Sequence, residues 1–240
     1  MASTSTKKSG PAGLVTETDP KSPAAEAYRS LRTNIQFAGL DEPHRSLVIT
    51  SSTAGEGKTT TVANFGIVAA QAGSRVCVID ADLRRPSLHR MFELPNAHGL
   101  TTALIEDQPF AKVAQSTRVA NLAVLTSGPL PPNPAELVGS KRMRELIEGA
   151  SADFDLLLFD TPPVISVADA VALAAQCDGV ILVVRAGTVP HNVVKRASEM
   201  IQAVKGRILG VLLNSVNLVR DGYYYDYYRY YRAYYGAEKP

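Results

Sequence analysis

Residues 47–60 read Leu47-Val48-Ile49-Thr50-Ser51-Ser52-Thr53-Ala54-Gly55-Glu56-Gly57-Lys58-Thr59-Thr60. A short aliphatic run enters a turn carrying two glycines, and the turn hands over to a helix-like stretch, Thr59–Ala72. Gly55 and Gly57 let the backbone turn so that its N–H groups converge on a phosphate-sized point. Lys58 adds a point charge there and Thr59 a hydroxyl suited to Mg²⁺. The helix beginning near Lys58 contributes its positive N-terminal end.

Outward from this turn the chain repeats one theme. Five further aliphatic runs follow the first: Val76–Ile79, Leu122–Leu125, Leu156–Phe159, Val180–Val184 and Leu209–Leu213. They are continuous rather than alternating, as strands buried on both faces should be. Helix-like stretches lie between most of them, among them Ser140–Gly149, Ala168–Gln176 and Asn192–Val204. This predicts an α/β fold, a mostly parallel sheet with helices on both faces. The turn at 52–59 resembles the loop of P-loop NTPases, in a deviant Walker form because the pattern's first glycine is here Ser52.

Two more strand ends carry carboxylates: Asp80-Ala81-Asp82-Leu83-Arg84-Arg85 after the second run, and Asp160-Thr161-Pro162-Pro163 after the fourth. Ligands of open α/β sheets bind outside the carboxyl ends of the strands, so Asp80, Asp82 and Asp160 are expected to share a crevice with Lys58. Hard oxygen ligands suit Mg²⁺, which takes one or two carboxylates plus phosphate and water. Turn formation or helix capping is the competing use of each aspartate.

Composition excludes several classes. With 45% hydrophobic and 20% charged residues the chain reads as an ordinary globular protein. A net charge of +2 gives no argument for nucleic acid. Cys77 and Cys177 form no CxxC pair and sit in or beside apolar runs, which favours buried, reduced thiols. His44, His89, His98 and His191 show no metal-ligand spacing. No apolar run reaches the ~18 residues of a membrane span.

The organisation expected is a flexible arm over 1–21, a folded domain over 22–222 and a tail over 223–240. Ser22-Pro23 reads as a cap and first helical position, followed by an apolar stripe of Ala24, Tyr28, Leu31 and Ile35. Glu26, Arg29 and Arg32 fall on one side of the same helix. They are either a solvated charged face or a contact surface. The tail is a low-complexity cluster: Tyr223, Tyr224, Tyr225, Tyr227, Tyr228, Tyr230, Tyr231, Tyr234 and Tyr235, interrupted by Asp226, Arg229, Arg232 and Ala233.

Together, Ala54-Gly55-Glu56-Gly57-Lys58-Thr59, Asp80-Ala81-Asp82-Leu83-Arg84, Asp160-Thr161-Pro162-Pro163 and the tyrosine cluster resemble the bacterial protein-tyrosine kinases of capsule and exopolysaccharide production. The family often has proline at the position of Ala54. The resemblance implies ATP and Mg²⁺, with the nucleotide held by residues 54–60, Thr60 included. It places Asp80 nearest the incoming tyrosine hydroxyl and the metal on Thr59, Asp82 and Asp160. Asn214 corresponds to an adenine-contacting position, or is a strand-end turn residue. Glu26, Arg29 and Arg32 match a subunit-contact motif, so a homo-oligomeric ring is implied. The tail tyrosines are the implied phosphoacceptors. A transmembrane activator, separate or fused, would hold the chain at the inner face of the cell membrane, and a tyrosine phosphatase and protein substrates are further implied partners. The competing reading is a partition or division-site ATPase used as a localisation switch. Those carry a signature lysine five positions before the P-loop lysine; here that position is Thr53.

Overall fold

A computed structural model describes residues 13–39 and 43–216. The tyrosine cluster and the first twelve residues lie outside the described residues. The chain opens with a single helical turn, α1 (Val15–Thr18), and a capped helix, α2 (Pro23–Ala38). Ser22 Oγ accepts from the N–H of Ala25, as the Ser-Pro signal predicts. Then come β1 (Ser46–Ser51), α3 (Lys58–Gln71), β2 (Val76–Asp80), α4 (Leu88–Met91), α5 (Leu100–Ile105), α6 (Phe110–Val113), β3 (Gln115–Ser116) and β4 (Leu122–Leu125). The chain continues through α7 (Pro134–Val138), α8 (Lys141–Ala150), β5 (Leu156–Asp160), α9 (Asp169–Ala174), β6 (Gly179–Arg185), α10 (His191–Ala203) and β7 (Ile208–Asn214).

The strands form one seven-stranded sheet in the order β3-β4-β2-β5-β1-β6-β7. Every pairing is parallel except the two-residue β3 against β4. All six aliphatic runs are strands, and β3 is an addition that no apolar run announced. Alternate side chains leave the sheet on opposite faces. Leu47, Ile49, Val76, Val78, Leu158, Ile181 and Val183 build one core under α1, α2 and α3. Val48, Cys77, Ile79, Leu157, Phe159, Val180 and Leu182 build the other, under α5, α6, α8, α9 and α10. Helices therefore cover both faces.

α3, the helix that leaves the glycine turn, is buried along almost its whole length. At Gly66 an added Cβ would meet Val78 Cγ2 at 2.5 Å, so glycine is what lets this helix lie so close to β2.

The expected flexible arm is corrected over part of its length. Leu14 and Thr16 are fully buried, held by Asn64 of α3. Asn64 Oδ1 accepts from the N–H of Thr16 at 3.0 Å and from its hydroxyl at 2.8 Å. Asn64 Nδ2 donates to the carbonyls of Gly13 and Thr60 at 2.7 and 2.8 Å. An apolar arm would show a periodic stripe; this one is held mostly by hydrogen bonds, which leave no such trace. Asn64 is itself fully buried with every valence used. Asn64→Leu is therefore expected to strand buried polar groups of Gly13 and Thr16 and to cost about 1–3 kcal/mol, read as a lowered midpoint in urea unfolding. An unchanged midpoint would show that the arm is not fastened there.

Candidate active site

The glycine turn spans the gap between the end of β1 and the start of α3. Gly55 and Gly57 both adopt positive φ, +80° and +97°, a region closed to most side chains. Glu56 between them turns inward and is 2% exposed. Its Oε1 accepts from the N–H of Thr53 at 2.5 Å and from its hydroxyl at 3.0 Å, while Oε2 accepts from the N–H of Arg185 at 3.1 Å. The Glu56 side chain is thus an internal brace of the loop, and only its backbone is left for a ligand.

Asn214, at the end of β7, donates its Nδ2 to the Glu56 carbonyl at 2.8 Å. A Cβ on Gly57 would sit 2.1 Å from that nitrogen. Asn214 therefore clasps the loop, with one of its two amide N–H groups on backbone. Lys58 begins α3 and is largely buried. Thr60 is partly exposed on the first turn, its carbonyl held by Asn64.

The acidic side of the site lies at the ends of two paired strands. Asp80 of β2 and Asp160 of β5 are register partners; both are buried. Asp80 Oδ2 accepts from the N–H groups of Ser87 and Leu88, each at 2.9 Å. Asp160 Oδ2 accepts from the Thr59 hydroxyl at 2.6 Å. The remaining oxygens, Asp80 Oδ1 and Asp160 Oδ1, are buried with no hydrogen-bond partner. Burial pushes the Asp80 carboxyl up to about 7, against the pull of the Leu88 and Ser87 N–H groups. Burial first, and then the neighbouring Asp80, hold Asp160 well above the usual carboxylate range, with Thr59 and Lys58 opposing.

Two buried carboxylates with free oxygens beside a threonine hydroxyl suit a hard divalent cation. Among the described residues no three His, Cys, Asp or Glu side chains gather as a ready-made metal cage. Mg²⁺ needs none, since substrate phosphate and water complete its shell.

Asp82 stands close enough to this pair for its charge to push both carboxyls up. It is partly exposed, and its Oδ1 accepts from the N–H of Arg85 at 3.0 Å, closing a turn. On α2, Glu26 and Arg29 form an intrahelical pair at 2.9 Å, and Arg29 also donates to the Pro20 carbonyl. Arg32 Nε is buried without a hydrogen-bond partner. Sequence reading missed the structural use of Glu56 and the role of Asn64. Asn64 alone left a visible signal, a polar residue inside the apolar run Val62–Ala70.

A family model described as ParA, NUBPL iron-transfer P-loop NTPase, matches residues 43–222. The tyrosine-protein kinase YwqD of Bacillus subtilis is 44% identical over 214 residues, covering 88% of this chain and 90% of that protein. The chain belongs to the bacterial tyrosine-protein kinases. The kinase domain of the Escherichia coli tyrosine kinase ETK superimposes with a TM-score of 0.81 at 35% identity, over 85% of this chain and 80% of that one. The chimerical protein CapA2B2 gives the same TM-score at 38% identity, over 85% and 90%. The cell-division ATPase MinD of Pyrococcus furiosus, 22% identical, shares the fold alone. The cysteines give no support for iron transfer: Cys77 is buried and Cys177 partly so, and burial raises both thiols, where metal binding needs thiolates.

The raised Asp80 carboxyl has a consequence for the ligand-free protein. Between its ordinary value of 3.8 and about 7 the native state keeps a proton that the unfolded chain has released. Stability therefore falls as pH rises across that window. Melting temperature is expected to drop from pH 5 to pH 7 and to rise on Asp80→Asn at pH 7. Added Mg²⁺ and nucleotide should stabilise wild type more at the higher pH; a flat profile in both proteins would contradict this electrostatic picture.

Proposed function

We propose that the chain transfers the γ-phosphoryl group of ATP to tyrosine hydroxyls, its own Tyr223–Tyr235 cluster on a neighbouring subunit included, in the control of capsule or exopolysaccharide synthesis. The observation that carries this reading is the pair of buried carboxylates with unpartnered oxygens beside Thr59, at the mouth of a phosphate loop.

The backbone of residues 54–57 and the side chain of Lys58 hold the phosphates, with Thr59 and Thr60 on the first helical turn. Thr59, Asp82 and Asp160 would hold Mg²⁺, directly or through water; bound there, it neutralises charge building on the phosphate oxygens. In the transfer the phenolic oxygen forms a bond to the γ-phosphorus as the bond to the β,γ-bridging oxygen breaks and ADP leaves. A phenol has a pKa of about 10 and gains from a positioned carboxylate. Asp80 takes that role: the Ser87 and Leu88 N–H groups fix one oxygen and leave Oδ1 for the proton. Alignment and charge neutralisation supply the rest.

Glu26, Arg29 and Arg32 form the subunit contact of a ring; the unpartnered Arg32 Nε supports this surface. A transmembrane activator recruits the chain to the membrane, and a phosphatase resets the tail. Each phosphate adds about −1.5 to −2 charges, so a phosphorylated tail is repelled from a neighbour's site and the ring loosens. The localisation-switch reading is less well supported, because Thr53 stands where those ATPases carry lysine and they do not account for nine clustered tyrosines.

Intact-mass spectrometry after incubation with Mg-ATP and a candidate activator tests the proposal. Full-length Lys58→Met should gain no phosphate alone. Mixed with an active chain truncated after Gly222, it should gain phosphates mapping to Tyr223–Tyr235. Steady ATP hydrolysis with no phosphotyrosine in wild type would instead favour the localisation switch. Sedimentation of the phosphorylated product should show a smaller assembly than the unphosphorylated chain.

A further inference from the structure

Arg84 lies two residues beyond Asp82, in the segment that leaves β2. Its guanidinium forks onto Asp169, Nε to Oδ2 at 2.9 Å and Nη2 to Oδ1 at 3.1 Å. Asp169 opens α9 nine residues after Asp160, and its side chain is 1% exposed where that of Arg84 is 42% exposed. Among the described residues this arginine is the hydrogen-bonding partner of the Asp169 carboxylate. An exposed ion pair contributes little to stability, and burying one member adds a desolvation penalty. Stability alone therefore gives the fold little reason to bury Asp169 and meet it with a surface arginine.

The location supplies a reason. The Ala81 N–H donates to the Asp160 carbonyl at 2.8 Å, so the two segments start out joined. Among the described residues the other hydrogen bonds from Asp82 to Pro86 are local: the Asp82 N–H to the Asp80 carboxylate, and the Arg85 N–H to the Asp82 carbonyl and carboxylate. The fork from Arg84 to Asp169 is thus the directional tie that fixes the Asp82 turn against the segment following Asp160. The bidentate geometry sets orientation as well as distance.

We propose that Arg84 and Asp169 are positioning residues for phosphoryl transfer. They hold Asp82 in register with Asp160 on the side of the site that would take Mg²⁺, and the proposal rests on the kinase reading given above. Among the described residues neither side chain hydrogen-bonds or ion-pairs with the P-loop, so they govern the transfer rate and the Mg²⁺ requirement rather than the hold on ATP.

The test compares full-length wild type, Arg84→Ala, Asp169→Asn and the double variant with Mg-ATP and activator. Phosphotyrosine formation, KM for ATP, the Mg²⁺ concentration giving half-maximal rate and melting temperature are measured for each. Arg84→Ala leaves Asp169 buried and unpaired, so it should melt lower; adding Asp169→Asn removes the stranded charge and should restore the melting temperature. The transfer rate of the double variant should nevertheless stay down about 10–100-fold, with a raised Mg²⁺ requirement and an unchanged KM for ATP. Loss of rate only in step with loss of melting temperature, in any variant, or a double variant as fast as wild type, overturns the proposal. A wild type that hydrolyses ATP but forms no phosphotyrosine overturns the kinase reading itself, a result visible before any variant is compared.

Discussion

The site is organised around a repulsion. Parallel pairing of β2 with β5 brings Asp80 and Asp160 side by side at the carboxyl edge of the sheet, out of water, with one oxygen of each unpartnered. Left to itself such a pair opposes folding, since like charges in a low dielectric cannot both ionise cheaply. The surroundings are arranged to tolerate it: backbone N–H groups on Asp80, a hydroxyl on Asp160 and the Lys58 ammonium nearby. The protein thus holds a poised deficit of positive charge, which a divalent cation and its nucleotide relieve.

The phosphate loop shows the complementary strategy. Its backbone must present N–H groups to a ligand, so the loop cannot use them to hold itself in place. The protein fastens it from beneath instead. The Glu56 carboxylate bonds to Thr53 and to Arg185, and Asn214 clasps the Glu56 carbonyl. Residues with motif-like placement can in this way serve the loop rather than its cargo.

Much of the fold was legible because it is a doubly covered parallel sheet. Burial on both faces forces continuous Val, Ile and Leu runs, and each of the six became a strand. The short elements α4 to α7 and the two-residue β3 were not legible, because helices of fewer than two turns and a two-residue strand are too short to repeat an apolar stripe. Leu14 and Thr16 were assigned to a flexible arm, since side-chain hydrogen bonding to Asn64 leaves no pattern in hydropathy. In the site, residue identities at strand ends were enough to expect Lys58, Asp80 and Asp160 near one another, and in the structure Lys58 and Asp80 both act electrostatically on Asp160. Spacing could not say that Asp80 is fully buried while Asp82 is partly exposed, or that Arg84 faces Asp169, 85 residues on. Those facts depend on how the loops cross the edge of the sheet, which the strand pattern leaves free.

The clasp between Asn214 and the Glu56 carbonyl joins positions 158 residues apart, and β1 finds its partners only in β5 and β6. Contacts of such long range slow folding and delay the structures that depend on them. During synthesis the glycine turn emerges early, but both strands that flank β1 and the residue that clips the loop lie beyond residue 155. A nascent chain therefore has no finished nucleotide pocket until translation has passed β7, and ATP acts as a ligand of the completed domain rather than as a template for its early assembly.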